Sequence, residues 1–203
     1  MSRVRIAAAA VAAVASLAFA GGALANGSKV TGGSTKVTAS AAAAALLTSN
    51  HITVAPLAPT TASGTAFTFP ITGGKFSTNT LRGFIRHGGG LSLSNGTRQV
   101  TLRRPTVVST KHGVVLDALV RGPSHRVCQS VGHHQFKKRC LVVTRLVTAR
   151  IARITDASIT NGTATGTVNI SAFTARAVNR LAGKHVVSAG AVLGTASITP
   201  TLG

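Results

Sequence analysis

Two Asn-Gly pairs, Asn95-Gly96 and Asn161-Gly162, constrain this chain more than any other feature. A type I′ hairpin turn needs positive φ at both central residues, and Asn-Gly adopts that conformation at little cost. Counting outward from Asn95-Gly96 sets Leu93 opposite Arg98 and Leu91 opposite Val100, with Leu102 further along the same face. Ser92, Ser94, Thr97, Gln99 and Thr101 share the other face. The same count from Asn161-Gly162 sets Ile159 opposite Ala164 and Ala157 opposite Gly166, with Val168 and Ile170 continuing that side. Ser158, Thr160, Thr163, Thr165 and Thr167 form the reverse. Two hairpins, each with one apolar and one hydroxyl-rich face, predict an antiparallel sheet covered on one side only.

Two helices are expected to supply the cover. Ser40 can cap a run from Ala41 to Leu47, and Ser171 can cap Ala172 to Ala182, with Phe173, Ala177, Val178 and Leu181 on one face and Gly183 as the stop. The fold class expected is therefore α+β and β-rich: an antiparallel sheet or sandwich of hairpins with two short helices packed on one side. Residues 26–35 are rich in Gly and Ser and read as a flexible lead-in, so the domain is placed at 36–203.

The N-terminus reads as a secretory leader over 1–25. Arg3 and Arg5 precede an apolar run from Ile6 to Ala20, Gly21-Gly22 interrupts it, and Ala23-Leu24-Ala25 offers a cleavage site. The alternative is an uncleaved anchor helix. No later segment reaches the ~18 consecutive apolar residues of a membrane span. The expected location is secreted or extracellular, with cell-wall association as one variant.

Charge and composition exclude more than they assign. There are 22 Lys and Arg against two acids, Asp117 and Asp156, and the formal net charge is +20. Such a surface attracts polyanions and equally well keeps a secreted protein soluble. Two isolated acids leave no paired-carboxylate chemistry, and neither a Gly-x-Ser-x-Gly elbow nor a phosphate-binding loop occurs. Tyr and Trp are absent, which argues against aromatic stacking on sugars or single-stranded nucleic acid, and no sequence-reading DNA motif is present. A non-enzymatic binding protein is expected, with its oligomeric state open.

Two stretches carry candidate sites. The loop 121–141 holds Cys128 and Cys140, and in an oxidising compartment two cysteines usually pair. The rival is a metal site of Cys128, His133, His134 and Cys140, whose spacing fits no common zinc pattern. Arg126, Lys137, Lys138 and Arg139 make the same loop either an anion-binding tip or a solvated one. The second stretch, Gly83 to Leu91, runs Arg86 and His87 into three glycines, so His87 is either a ligand-site residue or a strand-end histidine before a bulge.

Phe67-Thr-Phe-Pro70-Ile-Thr-Gly73-Gly74, Leu81-Arg-Gly83, Ile85-Arg-His87-Gly-Gly-Gly-Leu91-Ser-Leu and Val100-Thr-Leu102, taken together, resemble the HtaA-like domain of exported actinobacterial proteins. The resemblance runs from about Lys36 to the C-terminus, with the cysteine loop as a decoration. It implies a haem-associated binding role, in which family members ligate iron through a Tyr supported by a His at the position of His87. This chain has no Tyr, so that ligand does not carry over. What the resemblance transfers is His87 as a haem-site residue and Arg86 as a propionate partner. The competing expectation is an envelope-associated structural protein that binds anionic cell-wall polymer through its basic surface.

Overall fold

The computed structural model describes residues 27–77, 80, 82–122, 125–130, 138–143 and 146–203, the segments 125–130 and 138–143 by backbone alone. The expected leader lies outside these residues. In chain order the elements are β1 (Ser28–Ala39), α1 (Ala41–Ser49), β2 (Thr53–Leu57), β3 (Thr61–Ser63), β4 (Ala66–Phe76), β5 (Gly83–His87), β6 (Gly90–Ser94) and β7 (Gln99–Thr110). There follow β8 (Gly113–Arg121), β9 (His125–Ser130), β10 (Lys138–Val143), β11 (Leu146–Thr160), β12 (Thr163–Ile170), α2 (Ala172–Ala182) and β13 (Val192–Leu202).

One antiparallel sheet rolls up in the order β7-β5-β4-β1-β13-β12-β11-β8, and β8 pairs back to β7. The result is a closed eight-stranded barrel instead of two facing sheets. Closure removes the free edges of these eight strands, and the alternation read from the hairpins now means inside and outside. β2 and β6 extend the sheet beside the first half of β7, and β3 pairs with β4.

The Asn161-Gly162 hairpin has the predicted register near its turn, with Ile159 opposite Ala164 and positive φ at both turn residues. A bulge between Thr155 and Ser158 then shifts the register, so Ala157 does not pair with Gly166. The Asn95-Gly96 hairpin departs by two residues: Leu93 faces Val100 and Leu91 faces Leu102. Asn95 does not take the left-handed conformation there. Its Oδ1 accepts from the backbone N–H groups of Thr97 and Arg98, and its Nδ2 donates to the Leu181 carbonyl, which holds the turn against the end of α2. A two-residue slip keeps every side chain on its face, so the apolar set is still the one expected.

The flexible lead-in is corrected from Ser28 onward. Ser28–Ala39 is a central barrel strand, paired with β13 on one side and β4 on the other. Gly33 suits this position because its φ is 106° and a Cβ would run into the Thr199 carbonyl of β13.

The helices do not cover a sheet face. β1 and β12 both run antiparallel to β13, so they point the same way, and α1 and α2, which follow them, sit together at one end of the barrel. Ser40 and Ser171 cap them as expected, accepting from Ala43 N–H and Thr174 N–H, and Gly183 ends α2 with φ 72°. α2 buries Ala175, Val178 and Leu181, and the two larger side chains each stabilise by roughly 1.5–3 kcal/mol. α1 has no buried residue. The far end of the barrel is closed by Val30, Ile71, Phe76, Ile85, Val107 and Ile198.

Neighbouring glycines provide a check on the strand assignment of residues 28–39. A Cβ at Gly32 meets nothing within 4 Å, whereas one at Gly33 meets backbone. Gly33→Ala is expected to cost about 2–4 kcal/mol in urea unfolding and Gly32→Ala less than about 0.5 kcal/mol. Equal effects would mean that this segment is not held in the barrel.

Candidate functional site

Residues 83–94 run along β7 as one interrupted strand. Its first half, β5, pairs with β4, while its second half, β6, pairs with β2. The exchange of neighbour happens at Gly88 and Gly89. Gly89 has φ 70°, and a Cβ there would strike the Thr60 side chain and the Leu57 carbonyl. Thr60 in turn receives the Gly90 N–H at 2.9 Å. Opposite this joint β7 is bulged between Arg103 and Thr106, and the Arg104 N–H donates to the Gly89 carbonyl at 2.9 Å.

His87 sits at the joint and points into the barrel, 4% exposed. Its Nδ1 lies 2.9 Å from the Pro105 carbonyl and its Nε2 lies 2.7 Å from Thr35 Oγ1. A carbonyl only accepts, so in the neutral ring Nδ1 carries the proton and Nε2 accepts from the Thr35 hydroxyl. The edge of the ring also meets Phe69, with centroids 6.4 Å apart. Burial pushes the His87 pKa below its ordinary 6.5, and the bond to the Pro105 carbonyl offsets part of that shift. Both nitrogens are therefore engaged within the protein.

Two adjoining internal spaces lie between His87 and the helices. A small one of about 90 Å³ borders His87, Thr35, Phe69, Pro105 and Leu116. A larger one of about 290 Å³ lies at the helical end, walled by α1 (Ala42, Ala43, Leu46, Leu47), by Thr174 and Val178 of α2, and by Leu91, Leu93 and Leu102. Leu91, Leu102, Ile170 and Thr174 border both, so the larger pocket opens above the smaller one. Sequence reasoning missed this mouth pocket, whose walls come from distant segments. Its one local sign is the uncharged run Ala41 to Leu47, a helix without a polar face.

Haem iron does not fit this site as a coordinated metal. The lining of the mouth pocket contains no His, Cys, Met or Tyr, and the lone pair of His87 Nε2 already accepts from Thr35. Among the described residues no group of His, Cys, Asp or Glu could hold a metal ion.

Of the sequence-predicted residues, Arg86 and His87 are not brought together. Adjacent strand residues point to opposite faces, and Arg86 is exposed outside the barrel, its guanidinium 4.8 Å from the centre of the Phe84 ring. One haem cannot use both. In the cysteine segment β9 and β10 form a two-stranded ladder in which Cys128 stands directly opposite Cys140. Directly opposed positions have Cα atoms about 4.5–5.5 Å apart, a separation that a disulfide spans. Arg126 pairs with Val142 near one end of the ladder, while Lys138 and Arg139 pair with Ser130 and Gln129 at the other, so these cations are spread along it. Lys137, His133 and His134 lie outside the described residues.

No protein-family model matches the chain, and no curated protein does. Solved structures do. The N-terminal domain of HtaA from Corynebacterium glutamicum superposes with a TM-score of 0.60 at 13% identity, covering 85% of this chain and 98% of that one. The C-terminal domain of the same protein gives 0.55 at 16% identity, with 87% and 99% covered. The haem-binding protein HtaB from the same organism gives 0.55 at 17%, with 85% and 94% covered. The chain thus has the HtaA-domain fold, as its strand motifs imply.

The buried neutral imidazole ties stability to pH. As pH falls, the unfolded chain takes the proton first, so the contribution of His87 is complete above its ordinary value and declines as pH drops through 6.5 toward the lowered folded value. Urea unfolding from pH 8 to pH 5 should show this loss, and His87→Gln should flatten it. An unchanged slope in the variant would remove His87 as the cause.

Proposed function

We propose that this chain is a non-enzymatic binding domain that acts outside the cytoplasm and holds a planar, largely apolar ligand in the pocket between α1 and α2. The observation that carries this reading is the pocket itself, about 290 Å³ at the open end of a barrel whose other end is filled by packed side chains. Ligand sites in small barrels lie at such mouths, lined by apolar groups with few polar ones. The structural likeness to a haem-binding protein makes the porphyrin class the first ligand to test. With no iron donor in the lining, the grip comes from burial of the macrocycle and not from an axial bond.

Among the described residues no helix is long and apolar enough to cross a membrane. Removal of residues 1–25 and a Cys128–Cys140 bridge complete the proposal, because an oxidising compartment allows the bridge that the ladder register favours. Adhesion to anionic wall polymer gains no support from these neighbours.

Titration with hemin and with iron-free protoporphyrin IX tests the ligand. Both should bind with affinities within about 3-fold of each other, since each 1.4 kcal/mol would be a factor of ten. Leu46→Glu, which places a carboxylate on the pocket wall from a helix with no buried residue, should weaken both by more than about 10-fold. His87→Ala should leave the hemin Soret band where it was. No binding of either porphyrin, or tight binding of hemin alone that depends on His87, would overturn the reading.

Intact-mass measurement of protein recovered from the culture medium tests the rest. The chain should begin at Asn26 and weigh two hydrogen atoms less than the reduced form. A reduced chain that retains its leader would refute export into an oxidising space.

A further inference from the structure

The outer wall of the barrel is electrically sorted. β12 and β13 carry no charged residue, and their outward positions are mainly Thr and Ser. β5, β7, β8 and β11 instead present Arg86, Arg103, Arg104, Arg121, Arg150 and Arg153, all exposed. Within this wall lies a depression of about 650 Å³ bordered by Arg86, Arg104, Thr72, Thr106, Leu119 and Thr148. It is on the outside of the sheet, separated by the barrel wall from the pocket between the helices.

The charges in this depression do not cancel. Its one acid, Asp117, is held 3.6 Å from the Nε of Arg150. Among the described residues no ion pair compensates Arg86 or Arg104. The two guanidinium groups are also positioned by the fold. Arg86 lies against the Phe84 ring at 4.8 Å, which restrains the side chain. Arg104 occupies the bulge of β7 with φ 48°, a left-handed conformation that glycine would take without strain. That bulge is fixed from both sides, by Arg104 N–H to the Gly89 carbonyl and by the Pro105 carbonyl to His87. A cation therefore projects from a backbone that is set for other reasons, next to a second cation across the depression.

We infer that this outer depression is an anion-binding site for a ligand carrying two or more oxyanion groups, phosphate or carboxylate. Guanidinium forks bind either group through paired charge-assisted hydrogen bonds, and two uncompensated forks suit a ligand with two such groups. The site is independent of the pocket proposed for porphyrin.

Calorimetric titration of the full chain with pyrophosphate and with citrate, at about 0.15 M salt to screen diffuse attraction, tests the assignment. At least one probe should bind saturably, and the preferred probe separates phosphate from carboxylate recognition. Arg86→Gln and Arg104→Gly should each weaken that binding at least about 5-fold, the second without backbone cost because glycine accepts the φ of this position. The paired variant Arg176→Gln, Arg180→Gln removes twice the charge of either single variant, from the exposed cationic patch on α2, and should still change the affinity less than about 2-fold. The inference is overturned if neither probe binds, or if the α2 variant weakens binding as much as the depression variants do.

Discussion

The imidazole of His87, carried on β5, ties β7 and β1 together through its two ring nitrogens. Through Nδ1 it holds the Pro105 carbonyl of β7, and through Nε2 it holds Thr35 of β1 across the interior. Each of these groups is shielded from solvent, and a buried polar group without a partner costs about 1–3 kcal/mol. The bonds therefore matter most for what their absence would leave exposed inside the wall. They also explain the local shape. β7 must bulge at Arg104 to aim the Pro105 carbonyl inward, and the neighbouring strand must change partners at Gly88 and Gly89 beside it.

This joint divides the interior into two regimes. On one side, packed aliphatic and aromatic residues fill the barrel. On the other, the strands open toward two helices, and Ile52, Leu93, Val100, Val178 and Leu181 form a second cluster beneath them. The pocket survives at the helical end because α1 contributes Ala42 and Ala43 where a full core would need larger side chains. A histidine that serves as a cross-brace cannot also serve as an iron donor without giving up a buried hydrogen bond. In this chain both nitrogens of His87 are taken up by the barrel wall itself.

Much of this was legible in the residues, and the failures have physical causes. Capping serines, the stop at Gly183 and the I′ turn at Asn161 depend on neighbours within a few positions, and all three are present. The register at Asn95 depends on the Leu181 carbonyl, 86 residues away, and local turn preference could not reveal it. Closure of the barrel rests on the pairing of β7 with β8 and of β1 with β13, which alternation alone does not distinguish from an open sandwich. The Gly-rich stretch before Lys36 looked unstructured because glycine is read as flexible, yet Gly33 lets a neighbouring backbone pass close by. The separation of Arg86 from His87 needed no structure, since consecutive strand residues always face opposite ways.

α1 has a mechanical meaning that its plain composition conceals. Its two ends are fastened, at Ser40 by the N–H bond to the Leu193 carbonyl and at Ile52 by burial, while the span between contributes no buried side chain. Lifting that span would break only the partial packing of Leu46 and Leu47 against the cluster below, so its opening free energy belongs to the low end of the range found within folded proteins, far from that of the barrel. A guest could enter by displacing one roof beam, with the walls and the brace beneath them left standing.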